Sequence, residues 1–253
     1  MKIFKDKHAL QKEIIGNTGI SFIPTMGGLH KGHVYLIKRS KGYKLKTLVS
    51  IYINPKQFDK KKDFKSYPRN HKKDIKILKK YKVDYLYIPT FNDIYGFKTK
   101  KNFFLDKFSK KLCGKKRSGH FKGVLDVINR FLEIIKPKYI FMGKKDYQQL
   151  FLVKNYIEKK YKTKIIGCKT IRNKNKLALS SRNFLLKKAD IKQLEIISKK
   201  FLSLKKNISN HKNISKFLRQ SKKNIENLFK IKIEYLENRA IKNLKISNKL
   251  RGS

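Results

Sequence analysis

The chain has 253 residues, 66 of them Lys or Arg and 17 Asp or Glu, which gives a formal net charge of +49. A content of 40% hydrophobic and 12% aromatic residues excludes a solvated coil despite that charge, and no apolar run approaches the roughly 20 residues a membrane span needs. Two cysteines far apart, Cys113 and Cys168, exclude a disulfide framework or a zinc cluster, and an N-terminus without an apolar leader predicts a cytoplasmic protein.

The first 167 residues alternate between apolar runs and amphipathic stretches. Residues 4–15 fit a helix, and Ile20 to Pro24 a short strand that ends in a loop with two glycines. Residues 32–40 fit a helix, and TLVSIYI at 47–53 is a buried β-branched strand. A helix over 74–81, a strand over 85–88 and the clearest amphipathic helix, Val124 to Ile135, come next. The strand 139–142, a helix over 147–157 and a strand near Ile165 complete the series. Such alternation predicts an α/β fold, a Rossmann-like parallel sheet with helices on both faces that binds ligands beyond the carboxyl ends of its strands. After Cys168 the pattern becomes a short strand and loop, helices around 191–204 and 214–229, and a strand in IKIEYLEN at 231–238. The expected division is therefore 1–167 as the larger domain and 168–253 as a smaller α+β domain.

The basic residues comprise 57 lysines and 9 arginines, spread through every segment and accompanied by abundant Ile, Asn, Phe and Tyr. This is a residue set favoured by A/T-rich codons. Nucleic-acid readers exploit the planar fork of Arg, so the charge predicts solvated faces and no specific nucleic-acid partner. A functional basic surface is the alternative.

PTMGGLHKGH, residues 24–33, lies between a strand and a helix. Gly27 and Gly28 permit close backbone approach, and the helix start near Gly32 turns free N–H groups and a positive dipole end toward the loop, an arrangement suited to a polyphosphate. His30 and His33 can donate to phosphate oxygens. A glycine-rich turn with incidental histidines, or a metal pair lacking further ligands, would read the same.

This segment resembles the His-x-Gly-His signature of the nucleotidylyltransferase superfamily, and its wording resembles the pantoate–β-alanine ligase family. INPKQF at 53–58, SYPR at 66–69, RSGHFKGV at 117–124, GKKDYQQL at 143–150 and LALSSRN at 177–183 agree with that family in order. The resemblance implies condensation of pantoate with β-alanine driven by ATP, through pantoyl adenylate, with Mg2+ accompanying ATP and a homodimer as the assembly. It implies an ATP site formed by Met26, Gly27, Gly28, Leu29, His30, Lys31, Gly32 and His33, by Gly143, Lys144, Lys145 and Asp146, and by Ile171, Leu179, Ser180, Ser181 and Arg182. His33 would be the proton donor, His30 its phosphate-binding companion, and Lys145 a phosphate ligand. Ser180, Ser181 and Arg182 would clamp the triphosphate from the smaller domain, and Gln57 and Gln149, supported by Asn54, would hold pantoate. Metal ligands are not identified.

Each block has a plainer alternative. Asn54 before Pro55 suits a turn, Tyr67 to Arg69 a helix start, Arg117 and His120 a connecting loop, Lys145 and Asp146 a surface ion pair, and Ser180 and Ser181 a helix cap. The chain also departs from the family pattern. Lys144 replaces a usual Glu, Cys113 replaces a Glu, Asn175 and Lys176 replace Asp-Gly, and the C-terminal domain is expected to be shortened. Another adenylate-forming nucleotidylyltransferase, or a degenerate Lys-rich nucleic-acid-binding protein on the same fold, are the alternatives in function.

Overall fold

The computed structural model describes all residues except 18, 103, 104, 106 and 249–253. The chain divides into two compact units. The first comprises Met1–Ile171 and Leu179–Leu185, and the second Arg172–Ala178 and the chain from Leu186 onward. Ser180, Ser181 and Arg182, expected on the smaller domain, thus group with the larger unit.

The larger unit is built on six parallel strands, β1 (Lys2–Phe4), β2 (Ile20–Thr25), β3 (Lys46–Ile51), β4 (Tyr85–Tyr87), β5 (Tyr139–Gly143) and β6 (Lys164–Cys168). Their order is β1-β4-β3-β2-β5-β6. The chain proceeds one way across the sheet from β2 through β3 to β4, then the other way from β5 to β6. A crevice must therefore open between the carboxyl ends of β2 and β5, the place where such sheets bind ligands.

Side chains alternate across each strand and fill both faces. Phe22, Leu48, Tyr87 and Ile140 enter one core with α1 (Lys7–Ile14) and the two long helices α7 (His120–Ile135) and α8 (Tyr147–Lys160). Their neighbours Ile23, Val49, Leu86 and Phe141 enter the other, with α2 (Lys31–Lys41) and α4 (His71–Lys80). Three short helices, α3 (Lys61–Ser66), α5 (Phe91–Tyr95) and α6 (Cys113–Lys116), lie in the connections.

The opening stretch is not one helix. Lys2–Phe4 pairs with Tyr85–Tyr87, and the helix starts only after Asp6, whose carboxylate accepts the Ala9 N–H at 2.8 Å.

The smaller unit contains α9 (Lys188–Asn207) and α10 (Ile214–Phe229), with Ile208, Ile214 and Leu218 at its core. The expected strand at 231–238 does not form. The β pairing outside the sheet, among the described residues, consists of isolated bridges at Arg172–Ala178 and Arg239–Ile246. Alternating apolar residues need a neighbouring strand to become a ladder, and among the described residues no strand borders residues 231–238.

Candidate active site

The amides of the loop after β2 are taken up by the protein itself. Gly27 N–H donates to Thr25 Oγ1 at 3.2 Å, and Gly28 and Leu29 N–H donate to the two carboxylate oxygens of Asp74 at 2.9 and 2.8 Å. Asp74 is 1% exposed and enters from the first turn of α4. An amide cradle for phosphate, expected from the glycines, is thus already filled at Gly27, Gly28 and Leu29. What remains for a ligand is chiefly side chains.

Those side chains are held by a capping box made of two histidines. His30 is the N-cap of α2, and its Nδ1 accepts the Gly32 N–H at 3.0 Å. His33 Nδ1 reaches back to accept the His30 N–H at 3.3 Å, and the two ring centres lie 4.1 Å apart. A neutral imidazole that accepts through Nδ1 carries its proton on Nε2. Burial, reinforced by Lys145, lowers the His30 pKa to about 4. Burial first, then His30 and Lys145, lowers that of His33 to about 3. Both rings are therefore neutral Nε2–H donors at neutral pH. Gly32 makes this possible, because a Cβ there would lie 2.6 Å from His30 Cε1.

Across the crevice β5 ends at Gly143, and Lys144–Asp146 form a single 3-10 turn leading into α8. Lys145 Nζ lies 3.2 Å from Asp146 Oδ1, and both groups are solvent-accessible. Lys144 runs along β6, its Cε within 3.3 Å of the place a Cβ on Gly167 would occupy. Ile171 and Leu179 are joined by the Leu179 N–H to the Ile171 carbonyl at 3.0 Å, which brings the Ser180–Arg182 stretch back to the sheet. Ser181 Oγ then donates to the Gly28 carbonyl at 3.0 Å.

The candidate pantoate residues separate into one support and two amides. Asn54 is 1% exposed and occupied on both sides. Its Nδ2 donates to the Gly123 carbonyl at 3.1 Å, and its Oδ1 accepts from Tyr95 Oη at 2.9 Å and Lys56 N–H at 3.2 Å. Gly123 admits this contact because a Cβ would fall 2.2 Å from the Lys56 carbonyl oxygen. Gln57, on the 3-10 turn that Asn54 caps, directs Nε2 to Met26 Sδ at 3.1 Å. Gln149 lies half-buried in the first turn of α8. His120 donates from Nδ1 to the Gln57 carbonyl at 2.7 Å, and burial lowers its pKa. Arg69 donates to the carbonyls of Phe64, Lys65 and Tyr67, closing the end of α3.

Three residues here escaped the sequence. Asp74 orders the loop, Asp63 binds Arg182, and Gln148, beside Gln149, ties down the 108–113 segment through the carbonyls of Phe108 and Lys111 and the N–H of Cys113. Their partners lie 35 to 119 positions away, so no local pattern marks them. Among the described residues, no three His, Cys, Asp or Glu side chains gather as a metal site.

Comparisons with known proteins identify the relatives of this chain. A family model described as pantoate-beta-alanine ligase matches residues 2–252. A pantothenate synthetase of Buchnera aphidicola subsp. Acyrthosiphon pisum (strain 5A) is 47% identical over 190 residues, 72% of this chain and 67% of that relative. One from Clostridium botulinum (strain ATCC 19397 / Type A) is 41% identical over 182 residues, 72% of this chain and 65% of that relative. The crystal structure of pantothenate synthetase from Thermus thermophilus superposes with a TM-score of 0.91 at 26% identity, covering 99% of this chain and 91% of that one. A pantoate-beta-alanine ligase from Francisella tularensis, solved with beta-gamma ATP and beta-alanine, gives 0.81 at 35% identity, covering 94% of this chain and 89% of that one.

Proposed function

The chain belongs to the pantoate–β-alanine ligase family and joins pantoate to β-alanine, and from that premise we propose how the crevice between β2 and β5 does so. A pantoate carboxylate oxygen attacks the α-phosphorus of ATP, and pyrophosphate leaves. The amine of β-alanine then attacks the acyl carbon of pantoyl adenylate, AMP leaves, and the surplus amine proton passes to solvent. Neither step requires a protein nucleophile. Both require two small reactants to be held in line and charge to be met as it gathers on phosphate oxygens.

The observation that carries this assignment is the neutral histidine pair facing the Lys145 charge. With each Nδ1 engaged by a backbone N–H, His30 and His33 serve as fixed hydrogen-bond donors to phosphate. On this reading His33, with a pKa of about 3, acts at neutral pH through its neutral Nε2–H rather than as an imidazolium. Lys145 supplies the positive charge, and Ser180, Ser181 and Arg182 attend the departing pyrophosphate. Gln57 and Gln149 bind pantoate as neutral amides, which hydrogen-bond its hydroxyls and carboxylate without quenching the nucleophile. Asn54 acts by holding the Gln57 turn. Met26 to Lys31, Gly143, Lys144, Asp146, Ile171 and Leu179 form the remainder of the nucleotide site.

Mg2+ would accompany ATP, held mainly by phosphate oxygens as is usual for this ion. It would neutralise triphosphate charge. A homodimer in the cytoplasm completes the proposal, and sedimentation at micromolar concentration tests the dimer. The test of function is AMP formation from ATP, pantoate and β-alanine. Product should require all three, and AMP formed equally well without pantoate would contradict the assignment.

A further inference from the structure

Arg182 is already engaged before any phosphate reaches it. Its Nε donates to Asp63 Oδ1 at 3.0 Å and its Nη2 to Asp63 Oδ2 at 2.7 Å, a two-bond fork between residues 119 positions apart. The hydrogen-bonded guanidinium holds the Asp63 carboxyl below its ordinary range, and Asp63 in turn raises Arg182. The guanidinium carbon lies 5.2 Å from the Tyr67 ring centre and 6.0 Å from that of Phe58. The next residue back, Ser181, is buried against the histidine loop through the Gly27 and Gly28 carbonyls. Among the described residues Nη1 makes no hydrogen bond, so one edge of the fork is open.

We propose that Asp63 is a positioning residue for the ligation reaction: by binding Nε and Nη2 it fixes Arg182 with Nη1 as the edge offered to the departing pyrophosphate. This rests on the ligase assignment above. An arginine is long and rotamer-rich, and a donor that must be ordered during the reaction stabilises the transition state less than one already in place. A carboxylate that merely neutralised Arg182 would compete with phosphate, and removing it would then improve the enzyme.

The experiment is a double-mutant cycle on the full chain, with Asp63→Ala, Arg182→Ala and the pair assayed for AMP formation over a range of ATP, and thermal unfolding followed in parallel. Asp63→Ala should lower kcat by roughly 10- to 100-fold, the scale of a slightly misplaced group, with a smaller change in KM for ATP. Introduced into Arg182→Ala, the same substitution should cost less than about twofold, because its route of action is gone. Asp63→Glu should recover part of the rate. If Asp63→Ala does not fold, Asp63→Asn, which keeps the shape and one acceptor, replaces it in the cycle. A higher kcat/KM for ATP in the Asp63 variant, or an equal loss with and without Arg182, would overturn the proposal. An unmutated protein that makes no AMP from the three substrates would instead overturn the ligase assignment on which it rests.

Discussion

His33 returns its Nδ1 to the backbone N–H of His30 at 3.3 Å, so the two histidines of the loop cap the helix that bears them. The contact decides their chemistry, because a ring nitrogen accepting a hydrogen bond cannot also carry the proton.

Protonation should therefore oppose the fold. Burial lowers the pKa of His30 from 6.5 to about 4 and that of His33 to about 3. An unfolded chain takes up these protons near 6.5 while the folded one does not. The stability linked to neutral rings is thus full above that value and is lost as pH falls through 6.5 toward 4 and 3. Urea midpoints should fall between pH 7 and pH 4.5, and imidazole 15N shifts should report neutral Nε2–H rings at pH 6. Imidazolium signals from either residue at pH 6 would contradict the capping arrangement.

Gly32→Ala separates activity from stability. The new Cβ would meet the His30 ring at 2.6 Å, and a side chain can yield where a backbone cannot. A helix gains roughly 1 kcal/mol from Gly to Ala, about what the lost cap costs. The melting temperature should change little while AMP formation drops at least about tenfold. Unchanged kinetics would mean that the placement of His30 is immaterial.

The sheet and the loop were legible because local pattern encodes them, as TLVSIYI does for β3 and the strand-Gly-Gly-His-helix order does for the histidine loop. What local pattern cannot carry is partner choice. Phe4 reads as the start of a helix until Tyr85–Tyr87 offers Lys2–Phe4 a ladder, and IKIEYLEN reads as a strand but has none. The glycines were legible as a turn, but the acceptor of their amides, Asp74, enters from another helix. The same holds for Asp63, whose meaning appears only once Arg182 folds onto it.

Gln57→Ala and Gln149→Ala should raise the KM for pantoate and leave ATP affinity nearly intact. An amide lost from a buried polar partner costs roughly 1–3 kcal/mol. Asn54→Ala should instead lower stability along with activity, since its amide joins Gly123, Lys56 and Tyr95. Calorimetric titration with ATP and steady-state kinetics in pantoate distinguish them. Equal weakening toward both substrates would remove Gln57 and Gln149 from the pantoate site.

Lys176 adopts φ +73°, a conformation that glycine accepts and other residues resist. Asn173 and Asn175 hold the surrounding turn through Glu195, at 2.6 and 2.7 Å. Lys176→Gly should therefore stabilise the chain by about 1 kcal/mol, read as a higher denaturant midpoint at unchanged slope. A lower midpoint would show that the lysine side chain contributes more than its backbone costs.

The central claim, that an acyl adenylate forms in the crevice between β2 and β5, is tested most directly by isotope transfer. Pantoate labelled with 18O in its carboxylate should deliver one labelled oxygen to AMP on each turnover in the presence of ATP and β-alanine, because the attacking oxygen stays on the α-phosphorus when the amine displaces AMP. Label found in inorganic phosphate, or AMP released without label, would contradict it.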